Sequence, residues 1–340
     1  MKKMKLNLIK TMSILLLAIA LMIVGGVSLL AAAQPLVIGI TQIVEHPALD
    51  AARDGFIAAL EEAGFKEGED VVYDLQNAQG DFTNAISIAQ KFKDDKVDLI
   101  VAIATPTAQA ALQVNKEIPI VINAVTDPVA ASLAESWESS GNNLTGMSDA
   151  APNKQQVELI PQFLPEAKNV GTIYNAGEAN SVVQVEVARE TCDKLGLNLI
   201  EVTVSNSSEV LMAAQSLAGR VEAIYIVTDN TVVSALESVI NVCNRQKIAL
   251  IVADPSSVDR GALASYGIDY FSLGKKSGEI ALKIIKGVKP SDIPIQTITD
   301  PNDLQFVVNL DAAKIIGLSV SDEIVKAADV VIKDGKVQGE

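Results

Sequence analysis

Short apolar runs alternate with amphipathic segments along the chain from Leu36 onwards. The apolar runs have the length of buried strands, and the segments between them repeat apolar residues at helical spacing. In the first part of the chain this pattern predicts strands over Leu36–Thr41, Asp70–Leu75, Asp98–Ala104 and Pro119–Ala124, and helices over Pro47–Ala63, Phe82–Phe92 and Thr107–Asn115. Strict alternation of strand and helix favours a parallel sheet with helices on both faces.

The same series of elements begins again at Asn169. It predicts strands over Asn169–Tyr174, Ile200–Val204, Val221–Val227 and Ile248–Ala253, and a helix over Ser181–Leu195. Two glycine pairs, Gly39 with Gly171 and Gly64 with Gly196, are each separated by 132 residues. The repeat predicts an α/β fold of two doubly wound, Rossmann-like lobes, each built on a parallel sheet.

The remaining elements predict that the chain crosses between the lobes more than once. The stretch Asn142–Ser148 is interpreted as a link between the lobes. The later predicted elements, which complete each lobe in turn, are Gly261–Asp269, Leu273–Lys286, Leu304–Asn309 and Leu310–Ile316. The predicted N-terminal lobe comprises residues 34–145 and 270–290, and the predicted C-terminal lobe comprises residues 146–269 and 291–340. Several crossings of this kind form a multi-stranded hinge.

The N-terminal segment has the pattern of an export signal. Four lysines precede an apolar run from Ile14 to Ala33 that closes on three alanines. Small residues at this point are typical of a signal-peptidase site, so residues 1–33 are interpreted as a signal peptide cleaved after Ala33. The alternative is an uncleaved anchor, since the run can just span a bilayer. Both interpretations place the protein outside the cytoplasm, and the absence of a cysteine there indicates that it is not a lipoprotein.

Charge and cysteine content exclude several partners. Removing residues 1–33 takes away four lysines and leaves 23 Lys+Arg against 42 Asp+Glu, a net charge of −19. Such a charge repels nucleic acid and anionic lipid. The two cysteines, Cys192 and Cys243, each fall in a helical pattern and are interpreted as small buried thiols, with a disulfide as the alternative.

Candidate binding residues follow the predicted strands, because ligands of doubly wound sheets bind beyond the carboxyl ends of the strands. The predicted ligand-binding residues are Gln42, Glu45, Asn77, Gln79, Thr105, Pro106, Thr107, Thr126, Asp127, Ser148, Asn175, Asn180, Asp229, Asn230 and Asp254. They are almost all hydroxyls, amides and carboxylates. Neither lysine nor arginine is among them, and the sequence has no glycine-rich phosphate loop, so an anionic ligand is disfavoured.

The chemistry of two matched strand ends predicts a zwitterionic ligand. Thr105 and Thr107 stand at a helix start, where free N–H groups and the positive dipole end attract a carboxylate. Asp229 occupies the corresponding place of the other lobe and would attract an ammonium group. An α-amino acid carries both charges. The alternative is that Thr107 and Asp229 are ordinary helix caps.

No constellation of residues favours catalysis. His46 is the one histidine of the chain and is interpreted as a loop or cap residue. Neither cysteine follows a predicted strand, so a nucleophile–histidine pair is not indicated. The carboxylates lack the spacing of a metal site. The protein is therefore expected to be a binding protein without a catalytic residue, metal or cofactor.

Several short motifs together resemble a known family. They are Glu45–Asp50 (EHPALD), Asn77–Asp81 (NAQGD), Ala104–Ala110 (ATPTAQA), Ala124–Val129 (AVTDPV), Asn143–Asp149 (NLTGMSD) and Thr228–Asn230 (TDN). Similar motifs occur in the substrate-binding proteins of ABC importers of the tryptophan/tyrosine type, within the type I periplasmic-binding-protein superfamily. The resemblance extends from Leu36 to about Lys333.

The resemblance implies an extracytoplasmic receptor that clamps an amino acid between two lobes. The ligand would be aromatic, that is tryptophan, phenylalanine or tyrosine. The implied partners are an ABC permease and its cytoplasmic ATPase, and a monomer is expected because a clamp must hinge freely. The alternatives are a receptor for a sugar or another neutral solute, and a ligand-sensing domain without transport.

Overall fold

Two separate sheets form the framework of the protein. The computed structural model describes residues 34–298 and 303–338, so the predicted signal peptide lies outside the described residues. In the first sheet the strands lie in the order β11-β5-β4-β3-β1-β2, and every pair is parallel. These strands are β1 (Leu36–Gln42), β2 (Val71–Asn77), β3 (Leu99–Ile103), β4 (Ile120–Asn123), β5 (Leu144–Ser148) and β11 (Gln296–Thr297).

The second sheet has the order β14-β13-β12-β10-β9-β8-β6-β7. Its strands are β6 (Asn169–Asn175), β7 (Asn198–Val204), β8 (Ala223–Ile226), β9 (Ala249–Val252), β10 (Ala264–Ile268), β12 (Leu304–Asn309), β13 (Val330–Lys333) and β14 (Lys336–Gln338). The pairs β10–β12 and β13–β14 are antiparallel, and the other pairs are parallel.

Helices cover both faces of each sheet. They are α1 (Pro47–Glu62), α2 (Phe82–Asp95), α3 (Thr105–Val114), α4 (Asn153–Phe163), α5 (Ala179–Leu195), α6 (Val210–Leu217), α7 (Asn230–Ser234), α8 (Leu236–Gln246), α9 (Ser256–Asp259), α10 (Tyr270–Ile285), α11 (Leu310–Ile316) and α12 (Asp322–Ala327). In β3, Leu99 and Val101 pack with α1 and α10, whereas Ile100 and Ala102 pack with α2 and α3. Both faces of the strand are therefore buried, which is why the sequence shows an apolar run.

The predicted duplication is confirmed by the strand order. The first lobe contains the order β4-β3-β1-β2, and the second contains the equivalent order β9-β8-β6-β7. The paired glycines have one packing role in both lobes. A Cβ atom on Gly39 would lie 2.8 Å from the Phe92 ring, and one on Gly171 would lie 2.7 Å from a methyl carbon of Leu217. Each glycine lets a large helix side chain lie directly on a central strand.

The lobe boundaries differ from the predicted ones at two places. The predicted link Asn142–Ser148 is largely β5, which pairs with β4 inside the first sheet. The boundary between residues 145 and 146 therefore falls within a strand. Gly146, with φ +147, obscures this strand in the sequence, since a Cβ there would lie 2.1 Å from the Ile122 carbonyl oxygen. Residues 296–297, predicted for the second lobe, pair with β5 in the first.

Three connections join the lobes. The chain passes from β5 to α4, from β10 to α10, and from β11 to β12. The predicted architecture of two doubly wound lobes on a multi-stranded hinge is thus confirmed. Within residues 34–298 and 303–338, no helix has the length and apolar character needed to cross a membrane.

The two cysteines are buried and unpaired, which confirms their interpretation as core thiols. Burial raises the pKa of Cys192 to about 11 and that of Cys243 to about 12. Neither thiol is therefore ionised near neutral pH.

Close packing of α1 against α10 leads to a stability prediction. A Cβ on Gly274 would lie 2.1 Å from the Ala52 carbonyl oxygen. Helix propensity alone would make Gly274→Ala stabilising by about 1 kcal/mol. The steric conflict reverses the sign, and we expect a loss of about 1–3 kcal/mol in the free energy of unfolding. Urea denaturation measures this change, and a Gly274→Ala protein as stable as the wild type would contradict the packing.

Candidate functional site

A cavity lies between the lobes, at the carboxyl ends of the central strands. In this structure its free volume is ≈ 20 Å³, so a ligand larger than a water molecule must displace its walls. The first lobe contributes the polar residues His46, Thr105 and Thr126, and the hinge contributes Asp149 and Tyr270. The polar residues of the second lobe are Asn180, Thr228, Asn230 and Asp254. Both lobes must therefore be in place to complete the site.

The backbone is strained at two alanines in the cavity wall. Ala104 has φ 79 and ψ 158, a region otherwise occupied almost only by glycine, and Ala124 has φ 58. Each such residue costs about 1–3 kcal/mol and persists only when its surroundings enforce it. The strain at Ala104 turns the chain sharply from β3 into α3, which places Thr105 at the cavity. The helix consequently starts two residues earlier than the predicted Thr107.

The start of α3 is open to a ligand. No side chain in the described part of the chain caps this helix. Apart from Pro106, which has no N–H, its first residues present backbone N–H groups at the positive dipole end, and Thr105 among them lines the cavity; this arrangement favours a carboxylate. Thr105 is 1% exposed, and its Oγ1 has no hydrogen-bond partner among the described residues.

Three buried polar atoms of cavity residues lack partners within residues 34–298 and 303–338. They are Thr105 Oγ1, His46 Nδ1 and Asn180 Oδ1. Buried polar atoms are nearly always hydrogen-bonded in folded proteins, and each one left without a partner costs about 1–3 kcal/mol. Their convergence on one cavity indicates a polar ligand.

The corresponding helix start in the second lobe is already occupied by a carboxylate of the protein itself. Glu178 Oε2 accepts hydrogen bonds from the backbone N–H of Asn230 at 3.1 Å and from its side-chain Nδ2 at 2.6 Å. Its Oε1 accepts from the backbone N–H of Thr231 at 3.0 Å and from the hydroxyl at 2.8 Å. The two lobes therefore differ at this helix start. In the second lobe Glu178 already binds the N–H groups, whereas in the first lobe the start of α3 remains available to an anion.

Asp149 is a buried acid in the cavity wall at the hinge. Its Oδ1 accepts a hydrogen bond from the Thr126 hydroxyl at 2.9 Å, and its Oδ2 accepts from the Tyr270 hydroxyl at 2.8 Å. Burial raises the pKa of Asp149 against the opposing effect of these hydroxyl donors. A carboxylate has about four acceptor sites, so Asp149 retains capacity for a cationic group.

Asp254 is the second acid in the wall, and most of its acceptor sites are used. Its Oδ1 accepts from the backbone N–H of Ser257 at 3.0 Å and from the Ser256 hydroxyl at 2.5 Å. Its Oδ2 accepts from the Ser257 hydroxyl at 2.5 Å. These bonds hold the start of α9 against the cavity.

The apolar part of the cavity lies on the side of β1. Ala48 and Leu49, in the first turn of α1, face Val233 of α7 across the space between the lobes. Asp149 follows β5, on the opposite side of the first sheet. The cavity therefore has a polar end and an apolar end.

The structure brings five of the predicted ligand-binding residues together around this cavity. They are Thr105, Thr126, Asn180, Asn230 and Asp254. Gln79, Pro106 and Asn175, together with Asn230, line the wider opening between the lobes. Gln42, Glu45 and Asn77 lie in a separate pocket beside β2. Gln42 there donates to Asp50 Oδ1 at 2.8 Å, so it serves the local structure.

Three further predicted residues lie outside the cavity wall for identifiable reasons. The Thr107 hydroxyl donates to the carbonyl oxygen of Ile103 at 2.7 Å, inside its own helix. Asp127 Oδ1 accepts from the backbone N–H groups of Val129 and Ala130. The Ser148 hydroxyl donates to the Thr126 carbonyl oxygen at 2.8 Å. These three side chains stabilise turns and a helix.

Asp229 is the main correction. It is fully buried, and its Oδ1 caps α7 by accepting from the backbone N–H of Val232 at 2.8 Å. Its Oδ2 accepts at 2.6 Å from both the backbone N–H of Asn175 and the Ser181 hydroxyl. Burial and the nearby Glu178 carboxylate raise the pKa of Asp229 to about 7. Asp229 is therefore a helix cap, which is the alternative that the sequence analysis left open.

Sequence reasoning left nine wall residues out of the predicted site, among them Asp149, Tyr270 and His46. Asp149 directly follows the predicted Ser148. Successive side chains along a strand point in opposite directions, so the side chain that lines the cavity is that of Asp149 and not that of Ser148. Tyr270 begins a helix that returns from the other lobe, so nothing in its local sequence indicates the cavity. His46 is half-buried at the start of α1, and its role depends on the second lobe closing over it.

A sequence model of the family "ABC transporter substrate binding protein" matches residues 37–332. A tyrosine-binding protein from Clostridioides difficile (strain R20291) is 44% identical over 281 residues, which cover 83% of this chain and 81% of that protein.

Two solved structures inform on the lobe arrangement. An ABC domain in complex with L-Trp from Streptococcus pneumoniae is 32% identical, with a TM-score of 0.84 over 88% of this chain and 100% of that one. A substrate-binding protein with adhesive properties from Clostridium difficile, in its ligand-free, open form, is 45% identical, with a TM-score of only 0.64 over 84% of this chain and 96% of that one. The more similar sequence gives the poorer superposition, so the lobe arrangement here is closer to that of the L-Trp complex than to that of the open form. Structures only 13–16% identical share the fold alone.

Proposed function

Because this chain belongs to the ABC transporter substrate-binding protein family, we propose that it captures an α-amino acid with an aromatic side chain. The candidates are tyrosine, tryptophan and phenylalanine. The observation that carries the proposal is the pairing, in one cavity, of an uncapped helix start with a buried acid. These two features match the carboxylate and the ammonium group of a zwitterion. The ligands in the names of the relatives, tyrosine and L-Trp, support the same class.

The order of the strand ends orients the ligand. His46, Thr105, Thr126 and Asp149 follow β1, β3, β4 and β5, which are successive neighbours in the first sheet. Neighbouring strands lie about 4.8 Å apart, so the row spans roughly 14 Å. The ligand carboxylate binds at the start of α3, near the middle of this row. Its ammonium group lies toward Asp149, and its ring lies between Leu49 and Val233.

Closure of the second lobe completes the site. Asn180 Oδ1, buried and without a partner in the described part of the chain, supplies an acceptor for the ammonium group from across the cleft. Burying the ligand lowers the local dielectric and strengthens its charge-assisted hydrogen bonds. The three connections between the lobes act as the hinge.

Delivery is the second half of the proposal. The closed protein delivers its ligand to a membrane permease that is driven by a cytoplasmic ATPase. The apolar N-terminal segment exports the chain, so that capture takes place outside the cytoplasm. One copy of the chain contains every cavity residue named above, which suits a monomeric receptor.

A thermal-shift experiment with the purified protein tests the proposed ligand class. An aromatic L-amino acid at a hundred times its Kd should add about 2.7 kcal/mol to the stability of the folded state. Matched analogues test each charged group of the ligand, since tyramine lacks the carboxylate and 3-(4-hydroxyphenyl)propionate lacks the ammonium group. Both analogues, and D-tyrosine, should bind far more weakly than L-tyrosine.

Other outcomes would overturn the proposal. A shift produced only by sugars would replace the zwitterion with a neutral solute. Equal binding of L-tyrosine and tyramine would remove the α3 start as the carboxylate site. Uptake of radiolabelled amino acid by cells lacking this protein tests delivery, and unchanged uptake would favour a sensing role over transport.

A further inference from the structure

We propose that His46 distinguishes among aromatic amino acids: its Nδ1 accepts a hydrogen bond from the ring hydroxyl of the ligand, so that tyrosine is preferred to phenylalanine. The inference rests on the proposed function, because it requires an aromatic amino acid in the cavity. It assigns a role to the one histidine of the chain, which the capture of a zwitterion does not by itself require.

The first argument is an atom without a partner. His46 lines the cavity, and its Nδ1 is buried without a hydrogen-bond partner among the described residues. Neutral imidazole with its proton on Nε2 presents a lone pair at Nδ1. A buried acceptor of this kind is unfavourable unless a ligand supplies a donor.

The second argument is the position of His46 at the apolar end. It directly precedes α1, whose residues Ala48 and Leu49 form the wall that receives the ring. The ligand's carboxylate and ammonium group are bound farther along the row, at Thr105 and toward Asp149. The group that reaches His46 is therefore the far edge of the ring, where tyrosine carries a hydroxyl; the indole N–H of tryptophan lies nearer the backbone of the ligand.

The protein can discriminate against phenylalanine because the phenyl ring carries no hydrogen-bond donor. A phenyl ring fills the same space but leaves Nδ1 buried without a donor. Sites built to hydrogen-bond a substrate group reject the analogue that lacks it far better than apolar pockets reject an extra atom. We expect the wild-type protein to bind tyrosine at least about tenfold more tightly than phenylalanine.

Protonation of His46 should abolish this acceptor. In the closed structure burial lowers the pKa of His46, and Arg260 acts in the same direction. Asp254 and Asp50 oppose them, as does the neighbouring Asn230 side chain. In an open, hydrated state the pKa lies near its ordinary value of about 6.5. The contribution of His46 to binding is therefore present above about pH 6.5 and is lost as the pH falls toward the lowered value.

Isothermal titration of tyrosine, tryptophan and phenylalanine, with two variants, tests the proposal. His46→Leu removes the acceptor with little change in volume and should bind tyrosine and phenylalanine within about threefold of each other. His46→Gln keeps an amide acceptor that does not titrate. Wild-type affinity for the aromatic ligands should fall below about pH 6.5, because closure must deprotonate His46, whereas this component should be absent in His46→Gln.

The outcomes separate this inference from the proposed function. Failure of every aromatic amino acid to bind the wild type would refute the proposed function itself. Equal binding of phenylalanine, tyrosine and tryptophan by the wild type would refute only the role of His46. A preference that survives in His46→Leu but disappears in Asp254→Asn would transfer the acceptor role to Asp254. Retained phenylalanine binding by His46→Leu shows that this variant is folded.

Discussion

Replacing Asp149 with asparagine is expected to lower the affinity for aromatic amino acids about a hundredfold. Asp149 is the buried acid proposed to receive the ligand ammonium group, and losing one partner of a buried charge pair costs about 2–5 kcal/mol. Asparagine has nearly the same shape, and its Oδ1 can still accept from one of the two hydroxyls that contact Asp149. Isothermal titration at pH 7.5 measures the change.

The matched control is Asp127→Asn in the same lobe. Asp127 holds a turn through two backbone N–H groups, and asparagine can accept the same bonds. Its affinity for the ligand should equal that of the wild type. If Asp149→Asn bound as tightly as this control, the ammonium site would lie elsewhere in the cavity, with Asp254 the next candidate.

The Asp149 interaction also predicts a pH dependence. Burial raises the pKa of Asp149 in the protein, and a bound ammonium group would lower it again. The ligand therefore binds the ionised form better, and affinity should fall as the solution is acidified. In Asp149→Asn this component of the pH dependence should be absent, which separates it from the component assigned to His46.

Replacing Asp229 with alanine is expected to destabilise the fold by about 3–5 kcal/mol. The change removes the cap of α7 and leaves the Asn175 N–H and the Ser181 hydroxyl without their acceptor in the interior. A lost cap costs about 1–2 kcal/mol, and each buried group left without a partner adds about 1–3 kcal/mol. If Asp229 instead bound the ammonium group of the ligand, as the sequence analysis expects, the change would abolish binding and leave the fold intact.

Urea denaturation and ligand titration together distinguish these two outcomes. The folded fraction of Asp229→Ala should bind ligand with a smaller loss of affinity than Asp149→Asn. Asp127→Ala, which removes a half-exposed turn acceptor, should cost less than about 1 kcal/mol of stability. A stable Asp229→Ala protein that no longer binds amino acids would restore Asp229 to the binding site.

Some features of the fold are predictable because they depend on local pattern. Strands buried on both faces appear as continuous apolar runs, and the helices between them carry apolar residues at helical spacing. The duplication is visible because Gly39 and Gly171 perform the same packing task in equivalent strands. By contrast β5, with polar residues and Gly146 in its sequence, has no such pattern and resembles a linker.

The binding site is predictable only to the level of strand ends. The rule that ligands bind beyond the carboxyl ends of parallel strands selected Thr105, Thr126, Asn180, Asn230 and Asp254, which line the cavity. It could not separate these residues from Thr107, Asp229 and Ser148, whose side chains turn back into the backbone. Residues of both groups follow the carboxyl end of a strand, and the two groups differ only in the direction of their side chains.

The sequence by itself determined the two-lobed parallel architecture, the acidic charge and the polar chemistry of the loops, since each depends on composition or on short-range periodicity. Tertiary structure decided which acid faces the cavity. Asp149 lies in the cavity wall, where the hydroxyls of Tyr270 and Thr126, from distant parts of the chain, donate to its carboxylate. Asp229 lies outside the wall, where the Asn175 N–H and the Ser181 hydroxyl donate to its carboxylate. Such choices depend on contacts between residues far apart in sequence, and a local pattern contains no record of those contacts.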